Sequence, residues 1–270
     1  MNQIMNDSEL LQLAIQASLE AGADIMRIYT DPSQDFGIER KADNSPLTLA
    51  DKAAHARIMT YLDNTGIPVL SEEGAHAPFA SRAAWTRFWL VDPLDGTKEF
   101  IKKNGEFTVN VALVEQGVPV LGVVYLPAKD ILYYGSLSGG AFRVMDGVTE
   151  KLPLDTSAHD DFVIVASRSH LSDETRRYID VAEKKHDNVR TISSGSSIKI
   201  CLVAEGTADA YPRFAPTMEW DTGAGDAVAR AAGKVVLQAG SYDGLPFEAG
   251  KPLVYNKEDL HNPWFLVKDN

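Results

Sequence analysis

The sequence has a single cysteine, Cys201, among 270 residues, so no intrachain disulfide can form and a reducing, cytoplasmic compartment is expected. It also lacks an excess of positive charge. Lys and Arg number 26 against 38 Asp and Glu, a formal net charge of −12 that repels polyanions and argues against a nucleic acid polymer as partner. Long apolar runs are missing as well. The stretch 118–126 is interrupted by Pro119 and Gly122 and falls far short of the roughly 20 residues that span a bilayer. The first nine residues carry Asp7 and Glu9 but no Lys or Arg, so a secretory signal is not expected either. Peripheral contact with the cytoplasmic face of the inner membrane, and the choice between monomer and homodimer, stay open. What is present suits a folded chain: 44% hydrophobic and 24% charged residues exclude a disordered or collagen-like protein.

Apolar spacing predicts a long first helix from an N-cap at Ser8 to Tyr29, stopped by Asp31-Pro32, and a second over 50–62 with Asp51 at its start. Strands are expected at 67–70 and 88–91, then at 107–114, 118–125, 131–134 and 141–144 as an antiparallel meander. Beyond residue 155 the pattern changes. Strands at 162–166, 208–211, 234–237 and 264–267 alternate with helices at 173–185, 197–204 and 221–232. The expectation is an α+β lobe over 1–155 and an α/β lobe over 156–270.

Both early strands end in acids. Leu70 is followed by Ser71-Glu72-Glu73, and Val91 by Asp92-Pro93-Leu94-Asp95-Gly96-Thr97. Acids crowded at a strand end repel one another unless a proton or a cation lies between them, and hard divalent ions take all-oxygen shells. A solvated Asp-Pro turn is the simpler alternative for this segment alone. Glu72 and Asp221, the latter at a helix start where it could equally be an ordinary cap, are the best candidates to converge on Asp92 and Asp95. Four such acids suit two or three Mg²⁺ ions. Gly96 and Thr97 precede a further helix start, whose free amides could cradle an anion beside the cations, so phosphoryl chemistry is indicated. Rival designs lack their spacing: there is no Gly-x4-Gly-Lys-Ser/Thr loop, no His pair at zinc-helix spacing, and no Arg six residues after Cys201. An Asp-x-Asp nucleophile is absent at Asp92. A glycosidase, which needs only two carboxylates, is the weaker competitor.

These residues resemble the inositol monophosphatase superfamily of Mg²⁺-dependent, lithium-sensitive phosphatases, marked by Asp-Pro-x-Asp-Gly-Thr and a later Trp-Asp followed by small residues. The resemblance extends over Ser45 to Asp51, Ser71-Glu72-Glu73, Asp92 to Phe100, Gly105 to Asn110 and Trp220-Asp221-Thr222. Within the superfamily, Lys98-Glu99-Phe100 after the Gly-Thr and Tyr211-Pro212-Arg213-Phe214 resemble the CysQ branch, the 3′(2′),5′-bisphosphate nucleotidases. The resemblance implies a layered αβαβα sandwich of the inositol monophosphatase / fructose-1,6-bisphosphatase type, of class α/β. It implies Glu72, Asp92, Asp95 and Asp221 as side-chain metal ligands and Leu94 as a ligand through its carbonyl, with Asp51 and Thr97 activating water. Substrate contacts would come from Glu72, Asp95, Gly96, Thr97, Asp221 and, in the second lobe, Ser167, His170, Ser196 and Lys199.

The implied reaction is release of the 3′-phosphate of adenosine 3′,5′-bisphosphate, giving AMP, in sulfur metabolism, with 3′-phosphoadenylyl sulfate as an open further substrate. An inositol monophosphatase with the same metals is the nearest rival. A non-catalytic metal-dependent nucleotide sensor is the rival of another class, against which the presence of both Thr97 and Asp51 argues. Cys201, on an apolar helix face, reads as a core thiol.

Overall fold

The computed structural model describes residues 5–33, 35–41, 45–155, 161–167, 172–239 and 249–270. In chain order the elements are α1 (Asp7–Tyr29), a two-stranded ribbon β1 (Glu39–Arg40) and β2 (Pro46–Leu47), α2 (Leu49–Leu62), β3 (Val69–Ser71), α3 (Phe79–Arg82), β4 (Arg87–Asp95) and α4 (Thr97–Ile101). Then come β5 (Thr108–Glu115), β6 (Val118–Leu126), β7 (Ile131–Ser136), β8 (Gly140–Met145) and β9 (Val148–Lys151). The rest of the chain contributes β10 (Phe162–Ser167), α5 (Asp173–Lys185), β11 (Val189–Ser194), α6 (Ile198–Glu205), β12 (Ala210–Arg213), α7 (Glu219–Ala231), β13 (Lys234–Ala239), β14 (Ala249–Pro252) and β15 (Phe265–Asp269).

Strands β3 to β9 form one sheet in sequence order, antiparallel throughout except for the parallel pair β3–β4. Successive residues of a strand face opposite sides. Trp89, Val91, Val111, Leu113, Leu121 and Val123 therefore pack with Leu10, Ala14, Ile25, Ala54 and Ile58 of α1 and α2. Phe88, Leu90, Ala112, Val114 and Val124 point the other way, toward Trp220, Ala224 and Val228 of α7 and Ile200 of α6. Burial on both faces explains why β4, β5 and β6 read as nearly continuous apolar runs.

The second sheet has the order β11-β10-β12-β15-β13-β14, parallel through β11, β10 and β12 and antiparallel beyond. Helices α6 and α7 fill the space between the two sheets, and α5 covers the outer face of β10, β11 and β12. The layers thus run α1/α2, sheet, α6/α7, sheet, α5: the αβαβα sandwich. Close approach of α7 depends on small residues. A Cβ on Gly122 of β6 would lie 2.4 Å from the Ala224 carbonyl oxygen and 2.8 Å from Ala227 Cβ.

Several boundaries differ from those expected. The first helix starts at Asp7 and is capped by Asn6: Asn6 Oδ1 accepts from Glu9 N at 3.0 Å while Glu9 Oε2 accepts from Asn6 N at 2.8 Å, a reciprocal box that Ser8 could not make. The last helix starts two residues before Asp221, whose Oδ2 reaches back to accept from Met218 N at 2.9 Å. Strands β1, β2, β9, β11 and β14 have no counterpart among the expected elements. Few of their described side chains are buried, and β9, β11 and β14 lie at the edges of their sheets.

Candidate active site

The site is built where β3 and β4 end side by side. Their parallel register pairs Ser71 with Val91, and Glu72 N donates to Val91 O at 3.0 Å, so Glu72 emerges next to Asp92. Asp92 and Asp95 are three residues apart and in a regular strand would face opposite sides. The pairing of β4 with β5 slips by one residue here, Asp92 opposite Asn110 but Asp95 opposite Thr108. This bulge, at Pro93-Leu94 where proline has no N–H for the ladder, re-aims the strand end and puts both acids in one place. Leu94 N closes the turn onto Asp92 Oδ1 at 3.1 Å. Gly96 then turns the chain into α4 with φ 97°, and a Cβ there would meet the Glu106 carbonyl oxygen at 3.0 Å, which leaves glycine as the residue that fits.

Asp51 arrives from α2 and is buried. Its Oδ2 accepts from Thr48 N at 2.7 Å and Thr48 Oγ1 at 2.5 Å, and its Oδ1 accepts from Thr97 Oγ1 at 3.1 Å. Thr97 Oγ1 also lies 3.4 Å from the Leu94 carbonyl. Burial pushes the Asp51 carboxyl up, and the Glu73 charge adds to this against the Thr48 and Thr97 donors.

Electrostatic crowding is the dominant feature. Asp92 is 1% exposed; burial raises its pKa well above the usual carboxylate value, and the neighbouring Glu72, Asp95 and Asp221 raise it further, with Glu72 in hydrogen-bonding contact. Asp221 is pushed up to about 8 by burial and then by Asp95. Lys41, in the loop after β1, is ion-paired with these acids: its Nζ donates to Glu72 Oε1 at 2.8 Å and also to Glu73. Burial works to lower the Lys41 pKa, but the two carboxylates outweigh it and hold it raised. His76 ties the Glu72 segment to α7: its Nε2 lies 3.0 Å from Ser71 O, and its ring centroid 5.1 Å from that of Trp220.

Beside the acids opens a cavity of about 350 Å³, lined among others by Asp95, Asp221, Ser196, Lys199, Tyr211 and Arg213. Lys199 is buried; burial, reinforced by Arg213 and opposed by Asp95, brings its pKa down to about 8. Its Nζ donates to Ser196 O at 2.5 Å and sits 5.5 Å from the Tyr211 ring centroid. Ser196 Oγ and Arg213 Nε are buried without a hydrogen-bond partner, which in a folded protein calls for a ligand or a solvent molecule. Thus Glu72, Asp92, Asp95 and Asp221 are brought together, with Asp51 and Thr97 bonded to each other at their edge and Ser196 and Lys199 in the adjoining cavity. His170 lies outside the described residues, and of Ser167 the structure describes the backbone, at the end of β10. Lys41 and Glu73 escaped the sequence reading, although Glu73 adjoins Glu72 and its doubled acid was a visible signal. Cys201 is buried and free, its thiol raised well above the usual value by burial and then by Glu205.

The donor set suits a hard divalent cation: clustered carboxylates and a backbone carbonyl, where burial and neighbouring acids raise the pKa of Asp92 and Asp221 as long as no cation lies between them. Among the described residues no three acidic, His or Cys side chains close around an ion as they stand, so the acids are crowded neighbours rather than a finished coordination shell.

An αβαβα sandwich with carboxylates at the strand ends of one sheet and a cation-lined cavity alongside defines a layered, metal-dependent phosphatase. The profile of the inositol monophosphatase family matches residues 6–264. The chain is 46% identical over 261 residues to the 3′(2′),5′-bisphosphate nucleotidase CysQ of Salmonella typhimurium, an alignment covering 96% of this chain and 99% of that one. To CysQ of Escherichia coli K12 the identity is 45% over the same length and with the same coverage. The crystal structure of CysQ from Bacteroides thetaiotaomicron superposes with a TM-score of 0.86 at 54% identity, over 96% of this chain and 97% of that one. The SuhB structure from Bartonella henselae, 24% identical with a TM-score of 0.73 over 97% of this chain and 94% of that one, shares the fold. The chain belongs to the inositol monophosphatase family, as a phosphoric monoester hydrolase of the CysQ kind. No helix among the described residues is long and apolar enough to cross a membrane.

Proposed function

We propose that this phosphatase removes the 3′-phosphate of adenosine 3′,5′-bisphosphate, giving AMP and inorganic phosphate, with Mg²⁺ as cofactor. The observation that carries the reading is the mutual crowding of Asp92, Asp95, Glu72 and Asp221 next to a cavity that holds Lys199 and Arg213. The name carried by its relatives of 45–46% identity supplies the substrate.

Glu72, Asp92, Asp95 and Asp221 would hold two or three Mg²⁺ ions by carboxylate, with Leu94 adding its carbonyl. Bound there, Mg²⁺ supplies acidification of water and neutralisation of charge on the transferring phosphoryl group. The protein's own share is proton handling and positioning. Thr97 Oγ1 gives its hydrogen to Asp51 Oδ1, so its lone pairs are free to accept a hydrogen bond from the attacking water. Asp51, buried and raised in pKa, is the base that takes the proton through Thr97. Burial that excludes solvent from Asp51 and Asp92 strengthens every charge interaction in the site.

The other end of the substrate falls to the cavity. The Lys199 ammonium, Arg213 and the Ser196 hydroxyl can take the second phosphate, and Tyr211 and Phe265 add aromatic surface. Cations here let a −12 protein accept a doubly phosphorylated nucleotide. Ser167 and His170 are assigned to the nucleotide as well, on the family resemblance.

The test is a comparison of kcat/KM for adenosine 3′,5′-bisphosphate and inositol 1-phosphate under saturating Mg²⁺. Preference for the nucleotide supports the reading; preference for inositol 1-phosphate overturns the substrate. Nucleotide binding by calorimetry with no phosphate release would instead identify a sensor.

A further inference from the structure

Ser197 opens α6, where a serine ordinarily caps its own helix. Its hydroxyl makes no such cap. Instead Ser197 Oγ lies 2.7 Å from Asp95 Oδ2 and 2.7 Å from the Asp221 carbonyl oxygen, bridging the end of β4 to the first turn of α7. The hydroxyl has one hydrogen for these two acceptors. Its oxygen is in turn held by Asn110 of β5, whose Nδ2 donates to it at 2.9 Å. Ser197 is 3% exposed and Asn110 1%, so water does not compete for these bonds. Asn110 is fixed opposite Asp92 by strand register, which ties the relay to the same sheet end that presents the acids.

We infer that Ser197 is a positioning residue: oriented by Asn110, its hydroxyl fixes the Asp95 carboxylate relative to Asp221 and so sets the affinity of the site for Mg²⁺. The inference rests on the proposal that Asp95 and Asp221 hold the metal. Groups that orient a metal's ligands from outside typically contribute 10–100-fold in affinity. A hydroxyl that merely stitched α6 to the sheet would affect folding stability and leave metal affinity alone.

The experiment is calorimetric titration of Mg²⁺ into the full chain without substrate, for wild type, Ser197→Ala, Asn110→Ala and the double variant, with the Tm of each metal-free protein measured in parallel. Ser197→Ala should weaken Mg²⁺ binding roughly tenfold or more. Asn110→Ala should weaken it less and add nothing in the Ser197→Ala background, because it acts through the hydroxyl. Ser197→Cys, which keeps the side chain's shape with a weaker donor, should fall between wild type and Ser197→Ala, and it serves if the alanine variant does not fold. A dissociation constant for Ser197→Ala or Ser197→Cys within twofold of wild type overturns the inference, and so do penalties that simply add. Absence of Mg²⁺ binding by the wild type would overturn the metal reading itself, and this inference with it.

Discussion

Removing the metal should leave a protein that loses stability as pH rises through neutrality. Asp221 has a folded pKa of about 8, raised by burial and by Asp95, against about 3.9 for an unfolded aspartate. Between these values the folded state holds a proton that the unfolded state has lost, so the stabilisation is complete below about pH 4 and disappears as pH approaches 8. One such group gives a slope of about −1.4 kcal/mol per pH unit, and Asp92, raised by burial and the surrounding acids, steepens it. His55, pushed down by burial, works the other way below about pH 6.5, and Lys199, lowered to about 8, begins to act above that value. The window from pH 6.5 to 7.5 therefore isolates the acids. At roughly 2–4 °C per kcal/mol for a chain of this size, Tm should fall roughly 3–6 °C across it for Asp221 alone. The assay is thermal unfolding followed by circular dichroism in EDTA, repeated with saturating Mg²⁺ and with Asp221→Asn. Mg²⁺, which binds the ionised acids, should flatten or reverse the slope, and Asp221→Asn should reduce it. A Tm that is flat or rises from pH 6.5 to 7.5 in EDTA would mean that the folded protein holds no extra proton at Asp221 in this window.

Thr97→Val keeps the shape of the side chain but removes the hydroxyl that reaches Asp51; kcat should drop roughly 10²–10⁴-fold while Mg²⁺ affinity by calorimetry changes little. Lys199→Met should raise KM for adenosine 3′,5′-bisphosphate roughly 10–150-fold, the worth of a charged hydrogen bond, with a much smaller effect on a substrate that carries one phosphate. Gly122→Ala forces a methyl to 2.4 Å from the Ala224 carbonyl and should cost about 1–3 kcal/mol in urea unfolding, because α7 must move away from the sheet.

Much of this organisation could be read from residue order. Apolar runs followed by acids located β3 and β4, although β4 runs through both acids to Asp95 instead of stopping at Val91, and the change from meander to alternating strands and helices separated the two sheets. What escaped was whatever depends on pairing rather than composition. Val189–Ser194 forms β11 although its side chains are largely exposed, because parallel pairing with β10 supplies what its sequence does not advertise. The bulge that turns Asp92 and Asp95 to one side is a property of register with β5, not of either acid. Lys41 meets Glu72 and Glu73 across more than thirty residues, and Ser197 meets Asp95 across 102; neither contact has a local signal. The capping of α1 by Asn6 was available locally, since Asn6-x-x-Glu9 is a box, and Ser8 drew attention from it.

If these scattered carboxylates hold the cation on which phosphate release depends, activity must follow both the cation and the acids. The decisive measurement is phosphate release from adenosine 3′,5′-bisphosphate across a Mg²⁺ titration, for wild type and for Asp95→Asn with its fold checked by circular dichroism. No release is expected in EDTA, with saturable activation of the wild type by Mg²⁺ and near-total loss in Asp95→Asn at every Mg²⁺ concentration. Turnover that persists in EDTA, or a folded Asp95→Asn that retains wild-type activation, would contradict that dependence.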